Sequence, residues 1–566
     1  MPQHALSHSS PTTNSAADFA WLNEEARTFL RRGYLLDGTG PEERVREIAD
    51  HAEAILGIDG FADRFYEYMA RGYYSLASPV WANFGLDRGL PISCFGSYIG
   101  DTMEAILDTH AEVGMQTKVG GGTSGYFGDI RPRGASITNN GTSNGTYPFA
   151  QLFDKIINVV SQGETRRGHF AGYIDIEHPD VEEWLNIQTE GDAIQTMMYG
   201  VVVGDDWMEA MIDGDPEKRA LWAKVVESRM NLGIPYILFR DNVQRGRPQV
   251  YKDEGYDIKA SNLCSEIALP SGPDESFVCC LSSMNALRYD DWKDTDAVET
   301  LTYFLDAVMQ EFIDEAEGMK HMGRAVRFAR RHRAVGIGIL GWHSYLQSNR
   351  IPFESAEASL TGTEIAKTIQ ERSYSASEEM AERYGPAPLM EGRGDARRNT
   401  TTMAVAPTKS SSFILGQVSP SIEPIKSNYF VQDRAKMKVT YKNPHLKALL
   451  AEKGADTDET WEKIALRDGS VQHLDCLSDE EKAVFKTFGE ISQMAIIDQA
   501  AGRQTHIDQS QSLNLAIDPN AVPVKDINRL YVEAWKKGIK SLYYQHGVNA
   551  AQSFSRDLLA CRACEA

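Results

Sequence analysis

The spacing of hydrophobic residues divides the chain into a short helical region and a longer alternating region. Between residues 21 and 90, ERVREIADHAEAILG and FADRFYEYMARGYYSLA place apolar residues three and four positions apart, which predicts amphipathic helices. Beyond residue 91, short apolar runs such as YGVVVGDDW, PYILFRD, AVGIGILGW and TTMAVAPT predict buried strands. Helical stretches such as VETLTYFLDAVMQEFIDEAE separate these strands. The alternation predicts an α/β fold, either a barrel or a doubly wound sheet.

Both ends of the chain lack a sustained pattern. Residues 1–20 are polar, without the apolar run of a secretory signal, and are expected to form a disordered lead. Residues 546–566 are expected to form a flexible tail. Inside the chain, VGGGTSGYFG has the glycine spacing of a dinucleotide-binding motif, but turn-forming residues follow it instead of a helix. A close-packed turn is therefore expected there.

Composition and charge narrow the class of protein. The chain has 566 residues and a formal net charge of −22, which argues against binding to a nucleic-acid backbone. It contains no run of about 18 apolar residues, so no membrane span is expected. Seven cysteines are too few for a secreted disulfide scaffold in a chain of this length. A cytoplasmic enzyme with reduced thiols is the simplest expectation.

Three of the cysteines lie close together in SNLCSEIALPSGPDESFVCCLSS, at positions 264, 279 and 280. Any one of these cysteines, taken alone, would be interpreted as a small residue of the hydrophobic core. However, Asn262, Cys264 and Glu266 alternate, so on an extended segment their side chains face the same way. An amide, a thiol and a carboxylate are costly to bury together for packing alone. They suit a site in which the amide holds a substrate hydroxyl and the carboxylate deprotonates it beside a reactive sulfur.

The C-terminal CRACEA places Cys561 and Cys564 in a C-x-x-C pair. A zinc site would need a second pair of ligands at suitable spacing, and none lies nearby in the sequence. A redox dithiol fits the pair better, because neighbouring thiols exchange readily with a disulfide. The segment from Tyr544 to Cys561 could span at most roughly 55–60 Å when extended, so the tail could reach into a pocket and swing out again.

Taken together, these motifs resemble the large, catalytic subunit of class I ribonucleotide reductases. NLCSEI followed by CCLSSMNA is similar to the finger loop of that family, and SPVWANFGLDRGLPISCFGSYIGDTMEAI to the segment with its first redox cysteine. APTKSSSFILGQVSPSIEP resembles the substrate-phosphate loop, and KSLYYQHG the paired tyrosines. The resemblance runs from about residue 70 to the end. It implies a ten-stranded α/β barrel of two five-stranded halves over residues 91–545, with a central finger loop.

The resemblance also implies a role for each matched cysteine. Cys264 would carry a thiyl radical that abstracts the 3′-hydrogen of the ribose, while Glu266 takes the 3′-hydroxyl proton and Asn262 orients the hydroxyls. Cys94 and Cys279 would supply the reducing equivalents and end as a disulfide, which the tail pair re-reduces. Cys280 receives no role, and the alternative that Cys280 replaces Cys279 as the redox residue stays open.

Binding residues follow from the same resemblance. The substrate diphosphate is expected at the backbone and hydroxyl groups of residues 408–412, and other substrate contacts at two further serines. Effector nucleotides are expected at a carboxylate and a nearby loop, with GETRRGHFAG (residues 163–172) relaying effector identity to the active site. The residues are Thr408, Ser410, Ser411 and Ser412 for phosphate, Ser78 and Ser93 for substrate, and Asp101, Arg131, Ile137, Arg166 and Arg167 for the effector.

The resemblance further implies partners and cofactors. Tyr543 and Tyr544 would carry a radical from a separate small (beta) subunit, because no paired carboxylate–histidine motif for a di-metal site occurs in this chain. No metal site of its own is therefore expected. Effector dNTP or ATP with Mg²⁺, thioredoxin or glutaredoxin, nucleoside diphosphate substrates and a homodimer complete the expected set. Only 93 residues precede Cys94, so an N-terminal ATP-cone and its dATP shut-off are not expected.

The sequence leaves three alternative functions open. An adenosylcobalamin-dependent reductase would share the finger loop but would not need the tyrosine pair. A glycyl-radical enzyme would account for vicinal Cys279 and Cys280, although no glycine-radical motif lies near the C-terminus. A non-catalytic nucleotide-binding regulator would not need the five matched cysteines.

Overall fold

The structure of the protein, a computed structural model, describes residues 19–163, 166–434, 437–518 and 521–547, without the side chains of 166 and 432–439. The predicted lead, apart from its last two residues, and the tail beyond residue 547 lie outside the described residues. Cys561 and Cys564 are therefore not described, and their predicted role stays a prediction. Among the helices that are described, none is both long and apolar enough to cross a membrane.

The N-terminal helical pattern forms three helices: α1 Glu24–Arg31, α2 Pro41–Leu56 and α3 Phe61–Ala70. Helix α2 begins with a proline, whose fixed φ suits a first turn, and ends before Gly57 at a φ of 61°. The helical expectation was wrong for GYYSLA. These residues form strand β1, Tyr74–Leu76, which pairs antiparallel with residues 282–284, and helix α4, Ser78–Asn83, follows. Pairing with a buried strand overrides the helical spacing here.

The first half of the barrel is a sheet of parallel strands joined by helices. The strands lie in the order β2, β3, β6, β7, β8. Their bounds, with those of the connecting elements, are β2 Cys94–Tyr98, α5 Met103–Lys118, β3 Gly122–Tyr126, α6 Tyr147–Val159, β4 Ser161–Gln162, β5 Arg166–Arg167, β6 Phe170–Asp175, α7 Val181–Trp184, β7 Met198–Val203, α8 Asp205–Asp213, α9 Pro216–Leu232 and β8 Tyr236–Phe239.

The glycine-rich segment is part of this sheet, so the expected turn is only partly present. Gly120 does adopt a left-handed φ of 101°, but the residues from Gly122 onward form β3. A Cβ at Gly125 would lie 2.9 Å from Ile99 Cδ1 and 3.0 Å from Phe170 Cζ. The glycine is therefore explained by close packing inside the sheet, and no dinucleotide-binding turn is needed.

The second half contains five more parallel segments. Strand β9 pairs with β10, and backbone hydrogen bonds extend the sheet through residues 401–405, 509–513 and 541–546. The helices and strands of this part are α10 Arg240–Arg245, α11 Gln249–Asp253, β9 Phe277–Asn285, α12 Tyr289–Trp292, α13 Ala297–Ala316, α14 Gly323–His332, β10 Val335–Leu340, α15 Trp342–Ser348, α16 Ala356–Tyr384, α17 Lys409–Ile414, α21 Gln493–Gln504, β13 Leu515–Ala516, α22 Val524–Lys536, β14 Ser541–Leu542 and β15 Gln545–His546. Two 3₁₀ turns, Ala286–Arg288 and Pro388–Met390, complete it.

The two halves meet at antiparallel seams and close the barrel. Strand β2 pairs with β9 at one seam, and β8 pairs with β14 at the other. The predicted ten-stranded α/β barrel of two five-stranded halves is confirmed. One excursion was not predicted: β11 Tyr429–Arg434, β12 Met437–Lys442, α18 Pro444–Glu452, α19 Asp458–Ala465 and α20 Asp479–Val484 pack around a small hydrophobic cluster of their own.

A loop that includes residues 261–268 passes between the two halves. From the first half, Tyr173 donates its hydroxyl proton to the carbonyl oxygen of Asn262 over 2.7 Å. From the second half, Ser510 N–H donates to the carbonyl oxygen of Glu266 over 2.9 Å. Ser265 takes a left-handed φ of 60°, which turns the chain between these two anchors. This segment is the predicted finger loop, and it holds Cys264 inside the barrel.

Candidate active site

The tip of the finger loop opens onto a cleft between the barrel halves. Cys264 and Glu266 both line this cleft, and so does Cys94 from the start of β2. Asn262 is fully buried behind them, and its side-chain N–H₂ donates to Cys94 Sγ over 3.1 Å. The amide, the thiol and the carboxylate therefore lie close together, but through a turn at residues 263–265, so the predicted extended segment was wrong. The Asn262 amide contacts a second thiol as well.

Burial sets the acidity of the Glu266 carboxyl group. Its side chain is 1% exposed, and burial raises its pKa to about 7 because the charged form loses its hydration. Hydrogen bonds from Asn262 and Ser512 oppose that shift, and Ser512 Oγ lies 3.2 Å from Glu266 Oε2. A carboxylate with a pKa near neutrality is suited to exchange a proton with a substrate hydroxyl.

Cys94 and Cys279 face each other across the β2–β9 seam as direct register partners. Register partners in antiparallel strands have Cα atoms about 4.5–5.5 Å apart, within the roughly 4.4–6.8 Å that a disulfide spans. Burial raises the pKa of the Cys279 thiol well above its usual value, and a hydrogen bond from Gln509 opposes the shift. All five described cysteines are thiols. The pair is thus placed to interconvert between dithiol and disulfide.

Cys280 lies on the opposite face of β9 from Cys279, because neighbouring residues in a strand alternate. Its Sγ contacts the carbonyl oxygen of Leu305 on α13 at 3.3 Å, outside the barrel. Burial raises the pKa of this thiol, and nearby Asp306 adds to the shift. The geometry favours Cys279 over Cys280 as the partner of Cys94.

The cleft is walled by the residues expected to contact substrate. Ser78 begins α4, Ser93 precedes β2, and the Thr408–Ser411 stretch enters α17, a six-residue helix. Thr408 has a left-handed φ of 48°, and its Oγ1 accepts a hydrogen bond from Ser421 N–H. Ser93 Oγ is buried and has no hydrogen-bond partner among the described residues. Ser412 is the only predicted substrate residue that does not line the cleft. Its Oγ lies 3.3 Å from the carbonyl oxygen of Lys409.

Tyr543 and Tyr544 lie between β14 and β15, next to the finger loop. Their ring centroids are 4.3 Å apart, and both side chains are buried. Tyr236 of β8 joins them, with its ring centroid 4.8 Å from that of Tyr543 and 5.2 Å from that of Tyr544. The three rings form a contiguous aromatic cluster within the barrel wall.

The predicted effector residues lie at the far end of β2 and β3. Arg131 donates to Asp101 through both its backbone N–H and its Nε, over 3.0 and 2.8 Å. Ile137 is half-buried in the loop that follows. Arg167 is exposed in the small β4–β5 hairpin, and the side chain of Arg166 lies outside the description. Asp101 and Arg131 therefore form a hydrogen-bonded ion pair.

Three residues at the site were missed by the sequence analysis. Ser512 Oγ lies 2.5 Å from the carbonyl oxygen of Cys264, Gln509 reaches Cys279 Sγ, and Lys409 lines the cleft beside the serines. A signal for two of them was present: DQSQSLN is a polar run in what must be a buried barrel strand. The described residues contain no cluster of three or more metal-binding side chains.

Known protein families and structures account for nearly the whole chain. The family described as "Ribonucleotide reductase, all-alpha domain" matches residues 20–89, and "Ribonucleotide reductase, barrel domain" matches 92–218, 215–397 and 392–545.

A putative ribonucleoside-diphosphate reductase large subunit of Frog virus 3 is 38% identical over 540 residues, covering 90% of this chain and 93% of the relative. The ribonucleoside-diphosphate reductase large chain of Schizosaccharomyces pombe is 30% identical over 622 residues, covering 94% and 75%. The solved class Id ribonucleotide reductase alpha subunit of Actinobacillus ureae superposes with a TM-score of 0.90 at 59% identity, covering 97% of this chain and 100% of that one. These matches favour the predicted reductase over the cobalamin-dependent, glycyl-radical and non-catalytic alternatives. The chain belongs to the ribonucleotide reductase large-subunit family.

Proposed function

We propose that this subunit reduces ribonucleoside diphosphates to 2′-deoxyribonucleoside diphosphates through a thiyl radical on Cys264. The observation that carries the proposal is that Cys264, Glu266 and Cys94 line one cleft, with Cys279 opposite Cys94. The relatives named ribonucleoside-diphosphate reductase supply the substrate class. A cytoplasmic location belongs to the same proposal, because the chemistry starts from reduced thiols.

Each residue has one task in the proposed reaction. The Cys264 radical takes the 3′-hydrogen atom, and Glu266 accepts the proton of the 3′-hydroxyl. The 2′-hydroxyl then leaves as water. Cys94 and Cys279 together give two electrons and two protons and become a disulfide, and Cys264 returns the hydrogen atom to C3′. The net change is one ribonucleotide and one dithiol converted into one deoxyribonucleotide, one disulfide and one water.

The cleft offers suitable groups for the substrate. The hydroxyls of Ser78 and Ser93 face the sugar in this proposal, and the unsatisfied Ser93 Oγ gains a partner when a hydroxyl binds. The diphosphate takes the backbone and side-chain donors of Thr408, Ser410 and Ser411, and Ser412 supports that turn from behind. The cationic Lys409 adds a favourable charge at the same place.

The oxidising equivalent for Cys264 comes from a partner small subunit in this proposal. Tyr543 and Tyr544 would relay it, since their rings are in contact and lie beside the finger loop. After turnover, the Cys561–Cys564 pair would reduce the Cys94–Cys279 disulfide and pass the oxidation to thioredoxin or glutaredoxin. That exchange preserves the dithiol balance because one disulfide forms for each one broken.

Effector control and dimerisation are proposed at the α5–α6 surface. A dNTP or ATP with Mg²⁺ would bind beside Asp101, Arg131 and Ile137, and the loop with Arg166 and Arg167 would relay its identity. The neighbouring face of α5 and α6 exposes large apolar side chains, which a second copy of the chain would cover. They are Met103, Leu107, Leu152 and Val159, at 54, 49, 39 and 71% exposure.

The direct test is reduction of CDP by the purified chain with candidate small subunits and a dithiol reductant. The wild-type protein is expected to form dCDP only when a small subunit is present. Cys264→Ser should abolish product while effector binding survives, whereas Cys476→Ser, which alters the exposed cysteine outside the cleft, should leave turnover unchanged. Turnover by Cys264→Ser would refute the assignment, and activity with adenosylcobalamin alone would favour the cobalamin-dependent alternative.

A further inference from the structure

Gln509 joins three functional elements of the barrel. This fully buried side chain places its Nε2 3.7 Å from Cys279 Sγ, a hydrogen-bonding distance for sulfur. Its Oε1 accepts a hydrogen bond from the finger-loop N–H of Ala268 over 3.3 Å. Its carbonyl oxygen accepts from Lys540 Nζ over 2.6 Å, three residues before Tyr543. The proposed reducing thiol, the finger loop and the tyrosine-bearing segment therefore meet at one residue.

Asn262 makes equivalent contacts with Cys94 and the finger loop. Its Nδ2 donates to Cys94 Sγ over 3.1 Å, and its Oδ1 accepts from Ile267 N–H over 3.1 Å. The two amides thus hold neighbouring backbone N–H groups of the finger loop, at residues 267 and 268, while each donates to one thiol of the pair.

Gln509 Nε2 also lies 3.1 Å from both the carbonyl oxygen of Val335 and Thr401 Oγ1, so its two hydrogens are shared among three acceptors. Those contacts place the amide between two barrel segments, and Cys279 Sγ is the most distant of its three acceptors. A rigid donor of this kind favours the sulfur position that lies within its reach. When a disulfide forms, Cys279 Sγ bonds to Cys94 Sγ, and a disulfide sulfur is a poorer acceptor than a thiol or thiolate.

We infer that Gln509 is a positioning residue that stabilises the reduced form of Cys279 and couples the redox state of the Cys94–Cys279 pair to the finger loop that carries Cys264. The inference rests on the proposed function and extends it to a residue with no assigned role. Oxidation of the pair removes one electron and one proton from each sulfur and forms the S–S bond, with the ribonucleotide as oxidant. The amide N–H then loses its sulfur acceptor, which weakens one of the anchors of the loop.

An equilibrium redox titration of the full chain tests this without requiring activity. The protein is equilibrated with graded ratios of reduced and oxidised dithiothreitol, quenched with acid, denatured and alkylated. Mass spectrometry then gives the fraction of the Cys94–Cys279 disulfide. Gln509→Met should move the equilibrium about two- to five-fold towards the disulfide, the effect of losing one modest hydrogen bond. Gln509→Glu keeps an acceptor for Ala268 but loses the donor, and should shift the equilibrium in the same direction.

Gln511→Met is the matched control. Gln511 lies two positions further along the strand, is equally buried, and donates to the carbonyl oxygen of Ala500 over 2.9 Å, with no thiol contact among the described residues. This variant should lose thermal stability but keep the wild-type redox equilibrium. An unshifted equilibrium in both Gln509 variants, or an equal shift in Gln511→Met, would overturn the inference. If Gln509→Met shifts the equilibrium but the wild-type protein fails to reduce CDP, the result would count against the proposed function alone.

Discussion

Cys94 and Cys279 occupy directly opposed positions on β2 and β9, at the seam where the two halves of the barrel meet. The seam is antiparallel, whereas the strands within each half are parallel, so the two thiols come from separate halves. A disulfide between them would cross-link the halves beside the finger loop.

This opposition predicts which of the vicinal cysteines is needed for turnover. Cys279→Ala and Cys94→Ala should each abolish multiple-turnover reduction of CDP with a dithiol reductant. Cys280→Ala removes a thiol that contacts Leu305 on the other face of β9, so it should retain activity and lose only about 1 kcal/mol of stability. Assays of dCDP formation beside chemical denaturation distinguish these effects. Loss of activity in Cys280→Ala alone would reverse the assignment.

The pKa of about 7 for Glu266 predicts a pH dependence of catalysis. The carboxylate must be ionised to accept the 3′-hydroxyl proton, so kcat/KM for CDP should rise with pH through a midpoint near that value. Ser512→Ala removes a hydrogen bond that lowers the pKa, and its midpoint should lie at higher pH. The measurement is kcat/KM between about pH 6 and pH 9. A profile that is flat in this range for both proteins would argue against Glu266 as the base.

The same carboxyl group predicts a pH-dependent stability. Its folded-state pKa lies above the unfolded value of 4.5, so its stabilising contribution is complete below pH 4.5 and is lost as pH rises through about 7. Glu266→Gln should therefore be more stable than wild type at alkaline pH, by on the order of 3 kcal/mol, and lose this advantage in acid. Denaturant unfolding of the wild type and the variant, once in acid and once at alkaline pH, measures the difference in stability.

Glu481 provides a control, because its pKa is lowered in the folded protein instead of raised. Glu481 has a pKa lowered by the backbone N–H of Ser478, with which it forms a capping box at the start of α20. Glu481→Gln should not gain stability at alkaline pH. Equal behaviour of the two variants would show that the Glu266 effect is not due to burial.

The contact between Tyr543 and Tyr544 predicts that each hydroxyl is needed for radical transfer. Tyr543→Phe and Tyr544→Phe preserve the rings and should bind substrate with wild-type affinity, yet lose turnover by at least about 100-fold. Tyr199→Phe is the control, because this buried tyrosine contacts Ser228 through its hydroxyl and lies outside the pair. Turnover with the small subunit, measured beside substrate binding, separates the outcomes. Normal turnover in both pair variants would exclude this route.

The apolar face of α5 and α6 predicts a homodimer. Leu107→Glu combined with Val159→Glu should place charges in the interface and yield monomers in sedimentation experiments, with a weakened response to effectors. Leu466→Glu alters a side chain that is 84% exposed on the separate excursion and should leave the dimer intact. A wild-type chain that remains monomeric with effector present would contradict the prediction.

The sequence was most informative where the pattern is local. Apolar runs located β7, β8 and β10 because strands covered on both faces read as continuous hydrophobic segments. Asn262, Cys264 and Glu266 do lie close together, but a turn at residues 263–265 brings this about, and not the extended segment that their alternation predicted. Their family resemblance then supplied the barrel, which periodicity alone did not separate from a doubly wound sheet.

Features that depend on contacts between distant segments were not accessible in this way. The polar run of residues 508–512 contradicts a buried strand unless its partners are known, and these lie about 240 positions away in the finger loop. Residues 74–76 looked helical because their strand partner, β9, is about 200 positions further on. The small excursion around Trp461 and Leu450 has too few residues for a distinct hydrophobic signal.

Closure of the barrel by β14 has a consequence for synthesis of the chain on the ribosome. The segment that seals the second seam, Ser541–Leu542, is translated about 280 residues after Cys264. A polypeptide that stops before residue 541 therefore lacks the β8–β14 seam, and it also lacks the two tyrosines of the proposed radical route. Under the proposed function, only a polypeptide that extends through these residues would have a route to oxidise Cys264.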